Sequence, residues 1–120
     1  MKNRPRILVV EDETMLIEVV AAELEEAGFE VVTALTGEAA ATILAARTPI
    51  DLLFTDIRLP GALDGWGVAE QARALQPDLP VIYVTGYSAE EPRQVRDSLL
   101  VMKPYRPSAI IAAARRLGIG

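Results

Sequence analysis

Leu52-Leu53-Phe54-Thr55-Asp56-Ile57-Arg58-Leu59-Pro60-Gly61 is an apolar run that carries one carboxylate to its end and is then stopped by Pro-Gly. A short apolar run bounded by turn residues reads as a strand buried on both faces. Four more such runs flank it: Arg6 to Val10, Val31 to Ala34, Val81 to Val84 and Leu99 to Met102, with the central run strand-like from Asp51 to Thr55. Helical patterns separate them, so the chain is expected to form one α/β domain over residues 1–120.

The first helical pattern runs from Thr14 to Ala27 and ends at Gly28, suited to a left-handed cap. Its expected core stripe is Leu16, Val20, Leu24 and Ala27. A second apolar stripe, Met15, Val19 and Ala22, reads either as a broadened core contact or as a docking surface for a partner helix. Further helices are expected over Glu38–Arg47, Gly67–Leu75, Ser88–Asp97 and Pro107–Leu117. Right-handed crossovers leave few topologies for such an alternation. By analogy we expect a doubly wound, five-stranded parallel sheet of the flavodoxin-like (βα)5 type, in the order 2-1-3-4-5, which sets the carboxyl ends of strands one and three side by side. Glu11 and Asp12 would then meet Asp56.

Composition narrows the chemistry. The 120 residues include no cysteine and no histidine, which removes thiolate chemistry, the usual zinc sites and the Ser-His and Cys-His nucleophile pairs. The net charge is -5, and nine acids with no base lie between Arg6 and Arg47. Such a half repels a phosphate backbone, so direct nucleic-acid binding is not expected. The basic C-terminal third, with Arg93, Arg96, Lys103, Arg106, Arg115 and Arg116, reads as a solvated surface or as a face for an acidic protein. The apolar run after the basic start is too short for a signal peptide, and no run approaches a membrane span, so a cytoplasmic protein is expected.

Each candidate site residue has a plain structural reading when taken alone. Glu11-Asp12-Glu13 suits a helix start that complements the macrodipole, Thr85 a strand-end cap, and Lys103 a surface lysine. Together they fall at the ends of strands one, three, four and five on one edge. Carboxylates ~4 Å apart repel by roughly 4 kcal/mol per pair at an effective dielectric near 20, so a cluster of three wants a cation. Hard oxygen donors favour Mg²⁺, with Glu11, Asp12, Asp56 and the backbone carbonyl of Arg58 as candidate ligands. Thr85 and Lys103 would give a phosphoryl group on Asp56 a hydroxyl donor and a positive charge.

These residues resemble the receiver domains of two-component response regulators. The resemblance covers essentially the whole chain and rests on Glu11-Asp12, Asp56 before Leu59-Pro60-Gly61 and Leu63-Asp64-Gly65, Thr85, and Lys103-Pro104. It implies that Asp56 is a phosphoacceptor, charged by a sensor histidine kinase, a histidine phosphotransfer protein or a small acyl phosphate. It further implies Mg²⁺ at the acidic pair, Lys103 on the phosphoryl group, Thr85 moving to meet it, and a cis Lys103-Pro104 bond. The domain would catalyse only its own phosphorylation and dephosphorylation, with an unknown downstream protein and no membrane partner.

The chain departs from the family pattern in places. Leu100 stands where receivers generally carry a switch aromatic, so that mechanism is not carried over. Tyr83-Val84-Thr85-Gly86-Tyr87 is similar to the signature of the FAT GUY receivers, a stand-alone subclass without the switch. The stretch Gly86 to Asp97 is short, and is expected to be mobile until Asp56 is phosphorylated. The turn Pro60 to Gly65 is one residue longer than in many receivers, and the Arg58 side chain could reach over the site. The leading expectation is a single-domain regulator or phosphate shuttle, the alternative a receiver from a hybrid histidine kinase or multidomain regulator. An aspartate-nucleophile phosphatase would want a second acid where Arg58 stands, and a flavodoxin-type carrier would not place three acids after strand one.

Overall fold

The computed structural model describes residues 4–86 and 93–119. Five strands, β1 (Arg6–Val10), β2 (Glu30–Ala34), β3 (Leu52–Asp56), β4 (Val81–Thr85) and β5 (Leu99–Met102), form one parallel sheet in the order β2-β1-β3-β4-β5. The doubly wound flavodoxin-like order is therefore present. The central strands β3 and β4 are buried along their whole length, and the edge strands β2 and β5 are only partly covered. That is why β1, β3 and β4 read as unbroken apolar runs.

Among the described residues four helices cover the sheet: α1 (Thr14–Glu26), α2 (Gly37–Ala45), α3 (Gly65–Leu75) and α4 (Pro107–Arg116). On one face α2 and α3 pack Ala40, Leu44, Trp66, Val68 and Ala72 against Leu8, Val10, Leu53, Val81 and Tyr83. On the other, α1 and α4 pack Ile17, Val20, Leu24, Ile110 and Ala114 against Ile7, Val9, Phe54 and Val84. The alternation of side chains along each strand feeds the two layers in turn.

The core stripe of α1 corrects the sequence expectation. Ile17, Val20 and Leu24 are buried, Leu16 is only half-buried and Ala27 is exposed. Both Leu16 and Ile17 fit a helical spacing to Val20 and Leu24, and periodicity alone does not choose between them. Met15 and Val19 are 81% and 56% exposed, so their stripe is not a core contact. Gly28 takes the expected positive φ of 103° after the helix.

Helix α3 starts at Gly65, two residues before its expected start, because the Asp64 carboxylate caps it, accepting from the Gly67 N–H at 2.9 Å. Half of the helix expected over Ser88–Asp97 falls outside the described residues, as does Tyr87, and with them half of the stretch expected to be mobile. Its described end, residues 93–97, is not helical. There the Val95 N–H donates to the Tyr83 hydroxyl at 3.0 Å, Arg73 donates to the Arg96 carbonyl at 2.7 Å, and Asp97 has a φ of 55°. Backbone groups that a helix would pair internally are taken by side chains of β4 and α3.

Replacing Ile17 by Ala is expected to cost about 2–4 kcal/mol. Met15→Ala should stay within about 0.5 kcal/mol. Urea unfolding followed by the fluorescence of the single, buried Trp66 separates the two.

Candidate phosphoacceptor site

The carboxyl ends of the strands supply the site. Strand β1 runs straight into Glu11, whose N–H donates to the Ala34 carbonyl at 3.1 Å and so extends the ladder with β2. The Glu11 side chain is only 2% exposed, and its Oε2 accepts from the Glu13 N–H at 3.0 Å. Asp12, the next residue, is exposed. Asp56 closes β3, buried, in register with Val84. Carboxylate oxygens of Glu11, Asp12 and Asp56 lie within 4.8 Å of one another.

Lys103 follows β5, its N–H donating to the Thr85 carbonyl at 2.7 Å, and the Lys103-Pro104 bond is cis, as the family resemblance implies. Its Nζ donates to Asp56 Oδ2 at 2.7 Å and lies 3.4 Å from Glu11 Oε1. Burial works against the Lys103 charge, but the hydrogen bond and charge of Asp56, then those of Glu11, outweigh it and hold its pKa above the ordinary lysine range. Burial pushes the Glu11 carboxyl up to about 7; the Glu13 N–H opposes this, Asp56 adds to it and Lys103 opposes it.

The structure brings Glu11, Asp12, Asp56 and Lys103 together. Thr85 ends β4 on the same edge, buried, with its hydroxyl proton directed to the Gly86 carbonyl at 3.1 Å and not to Asp56. Arg58 stands exposed on the loop that leaves Asp56. Tyr105, two residues past Lys103, packs edge-on against Phe54 with ring centroids 5.8 Å apart. Its hydroxyl is buried with no hydrogen-bond partner among the described residues, and burial, then the Glu11 charge, pushes its pKa up to about 12.

Two supports escaped the sequence reading. The Thr55 hydroxyl donates to the Asp56 carbonyl at 2.9 Å, a buried polar group hidden within an apolar run. Helix α3 starts so close to the end of β3 that a Cβ on Gly65 would run into the Asp56 carbonyl. The Asp64-Gly65 pair, a cap residue followed by glycine, is the signal that pointed there.

The model of the response regulator receiver domain matches residues 7–115. The chain belongs to this family. A response regulator receiver protein from Sinorhizobium medicae is 34% identical, with a TM-score of 0.90 over 95% of this chain and 94% of that one. The response regulator TrrA of Thermotoga maritima, solved in complex with Mg²⁺-BeF, is 32% identical with a TM-score of 0.82, covering 94% and 98% of the two chains. The receiver protein CpdR of Brucella abortus is 33% identical over 83% of this chain and 85% of its own length. The transcriptional regulator ycf27 of Cyanophora paradoxa is 35% identical over 96% of this chain but only 48% of its own length. The chain thus spans about half the length of the first curated relatives it matches. Receiver domains bind Mg²⁺ at an acidic pocket, and the three clustered carboxylates offer the hard oxygen donors this ion takes. No helix among the described residues is long and apolar enough to cross a membrane.

Between pH 4.5 and about 7 the folded, metal-free protein holds a proton on Glu11 that the unfolded chain releases. The stability this proton contributes is lost as pH rises through that window. Urea midpoints at several pH values should show this fall in wild type and a flatter profile in Glu11→Gln.

Proposed function

We propose that Asp56 is the phosphoacceptor of a two-component phosphorelay, charged in a Mg²⁺-dependent step by a sensor histidine kinase or a histidine phosphotransfer protein. The observation that carries this reading is the 2.7 Å contact of Lys103 with Asp56 beside Glu11 and Asp12. An Asp56 carboxylate oxygen attacks phosphorus, the bond from phosphorus to the donor's imidazole nitrogen or acyl oxygen breaks, and the leaving group takes that electron pair. Lys103 then passes from the carboxylate to the new phosphoryl oxygens, and the Thr85 hydroxyl turns from Gly86 to meet another. Glu11, Asp12, Asp56 and the Arg58 carbonyl would hold Mg²⁺, which when bound supplies the positive charge that the phosphoryl oxygens need. Water later attacks the acyl phosphate and regenerates Asp56. These are self-directed steps of a signalling protein.

Residues 1–120 act as one receiver unit in this reading, as a stand-alone cytoplasmic regulator or shuttle of the FAT GUY kind. The likeness to CpdR, a receiver protein of which the match covers 85%, supports it. A second reading, the receiver of a larger regulator or hybrid kinase, draws on the half-length coverage of ycf27 and on a 31% identical receiver domain from the hybrid histidine kinase CckA. The donor docks on the exposed face of α1 carrying Met15 and Val19.

Incubation with acetyl phosphate and Mg²⁺ should add one phosphoryl group by intact mass, and none to Asp56→Asn. An adduct that persists in Asp56→Asn would reject the assignment. Met15→Glu and Val19→Glu should slow transfer from the cognate donor about tenfold, equivalent to ~1.4 kcal/mol, while leaving acetyl phosphate labelling unchanged. Unaltered transfer would remove the docking role.

A further inference from the structure

The loop from Asp56 to α3 is fastened at both of its ends and at its crest. At the ends, the Gly65 N–H donates to the Ile57 carbonyl at 2.8 Å. The crest is held from a separate element, the first turn of α2. Glu38 Oε2 accepts from the N–H groups of Ala62 and Leu63, at 3.0 and 3.1 Å, across 24 and 25 residues of sequence. Gly61 turns the chain with a φ of 89°, and a Cβ there would lie 2.8 Å from the Glu38 carboxylate. Beside Glu38, a Cβ on Gly37 would run into the Leu63 carbonyl. The start of α2 is therefore shaped to the crest by close approach as well as by hydrogen bonds.

Glu38 is otherwise an exposed residue on a helix with no other acid in its first turn. Its own backbone N–H and that of Ala62 hold its carboxyl below the ordinary glutamate range, so it is ionised at neutral pH. A carboxylate at a helix start, accepting from two successive N–H groups, makes a charge-assisted clamp. Between the clamp and the closed loop ends lie only the four residues Arg58 to Gly61, and Arg58 stands two residues after Asp56.

We infer that Glu38 is a positioning residue for the phosphoacceptor site: by holding Ala62 and Leu63 it fixes the loop that leaves Asp56, and so sets the affinity of the acidic cluster for Mg²⁺. This rests on the metal assignment made above for Glu11, Asp12, Asp56 and Arg58.

Three variants of the full chain test it: wild type, Glu38→Ala and Glu38→Gln, whose amide oxygen can accept the same two hydrogen bonds. Calorimetric titration with Mg²⁺ alone should give a Kd raised about tenfold in Glu38→Ala and within about twofold of wild type in Glu38→Gln, a loss typical of outer-shell partners of metal ligands. Amide exchange at Ala62 and Leu63 should speed up in Glu38→Ala alone, with Tm close to that of wild type. Equal Kd values in all three would overturn the inference, whether or not wild type is phosphorylated. Parallel losses of Mg²⁺ affinity and Tm in both variants would also overturn it, reducing Glu38 to a part of the fold. A wild type that binds Mg²⁺ with the expected Glu38 dependence but takes no phosphoryl group would leave the clamp standing and reject the phosphoacceptor assignment.

Discussion

The contact on which the site depends is the Lys103 ammonium set between two buried carboxylates, 2.7 Å from Asp56 and 3.4 Å from Glu11. Taking two acids out of water at the ends of adjacent strands is costly, and the lysine offsets that cost in the absence of other cations. The arrangement also carries a bias towards chemistry. A cation that binds carboxylates would take over the same task, and in the proposed reaction a phosphoryl group on Asp56 would draw the ammonium to itself. The resting charge pair and the reacting state thus share their components.

The sheet makes this contact inevitable. Strand order β2-β1-β3-β4-β5 sets β1 beside β3, and the crossover directions leave their carboxyl ends open. Glu11 and Lys103 each extend a ladder by one hydrogen bond beyond their strands, so both side chains leave from rigid backbone. The Asp56 backbone is held from behind by the Thr55 hydroxyl and by the approach of α3 at Gly65. In the proposed reaction the parts free to respond are then the side chains of Lys103 and Thr85 and the loops around them.

Much of this was legible in the sequence, because it is written in unbroken apolar runs that end in polar residues. Asp56, Lys103 and the acidic pair follow from such runs, and the sheet order from analogy with other doubly wound sheets. The rotation of α1 did not, since Leu16 and Ile17 satisfy the same helical period and only packing against the sheet selects Ile17. The start of α3 lies earlier than the spacing predicts because Asp64, which also fits the turn from Pro60 to Gly65, caps the helix. Glu38 was invisible as a site residue, because its partners are backbone N–H groups 24 and 25 positions away, and no side-chain pattern records them. The local pattern over residues 93–97 is helical, whereas tertiary bonds to Tyr83 and Arg73 claim their backbone.

The first of those bonds ties residue 95 to the strand that ends in Thr85. Leu100 is 43% exposed and pairs in register with Tyr83. The aromatic ring next to it thus belongs to β4, packs on Trp66 at 4.7 Å, and holds Val95 through its hydroxyl, two residues before Thr85 on the same strand. All of this acquires meaning only if Asp56 is the residue that is modified. Borohydride reduction of the phosphorylated protein, which converts an acyl-phosphorylated aspartate to homoserine, followed by peptide sequencing, addresses that most directly. The account predicts homoserine at position 56 in the tryptic peptide from Thr48 to Arg58. Homoserine at position 12 instead, or an unreduced Asp56 in protein that carries phosphate, would contradict it.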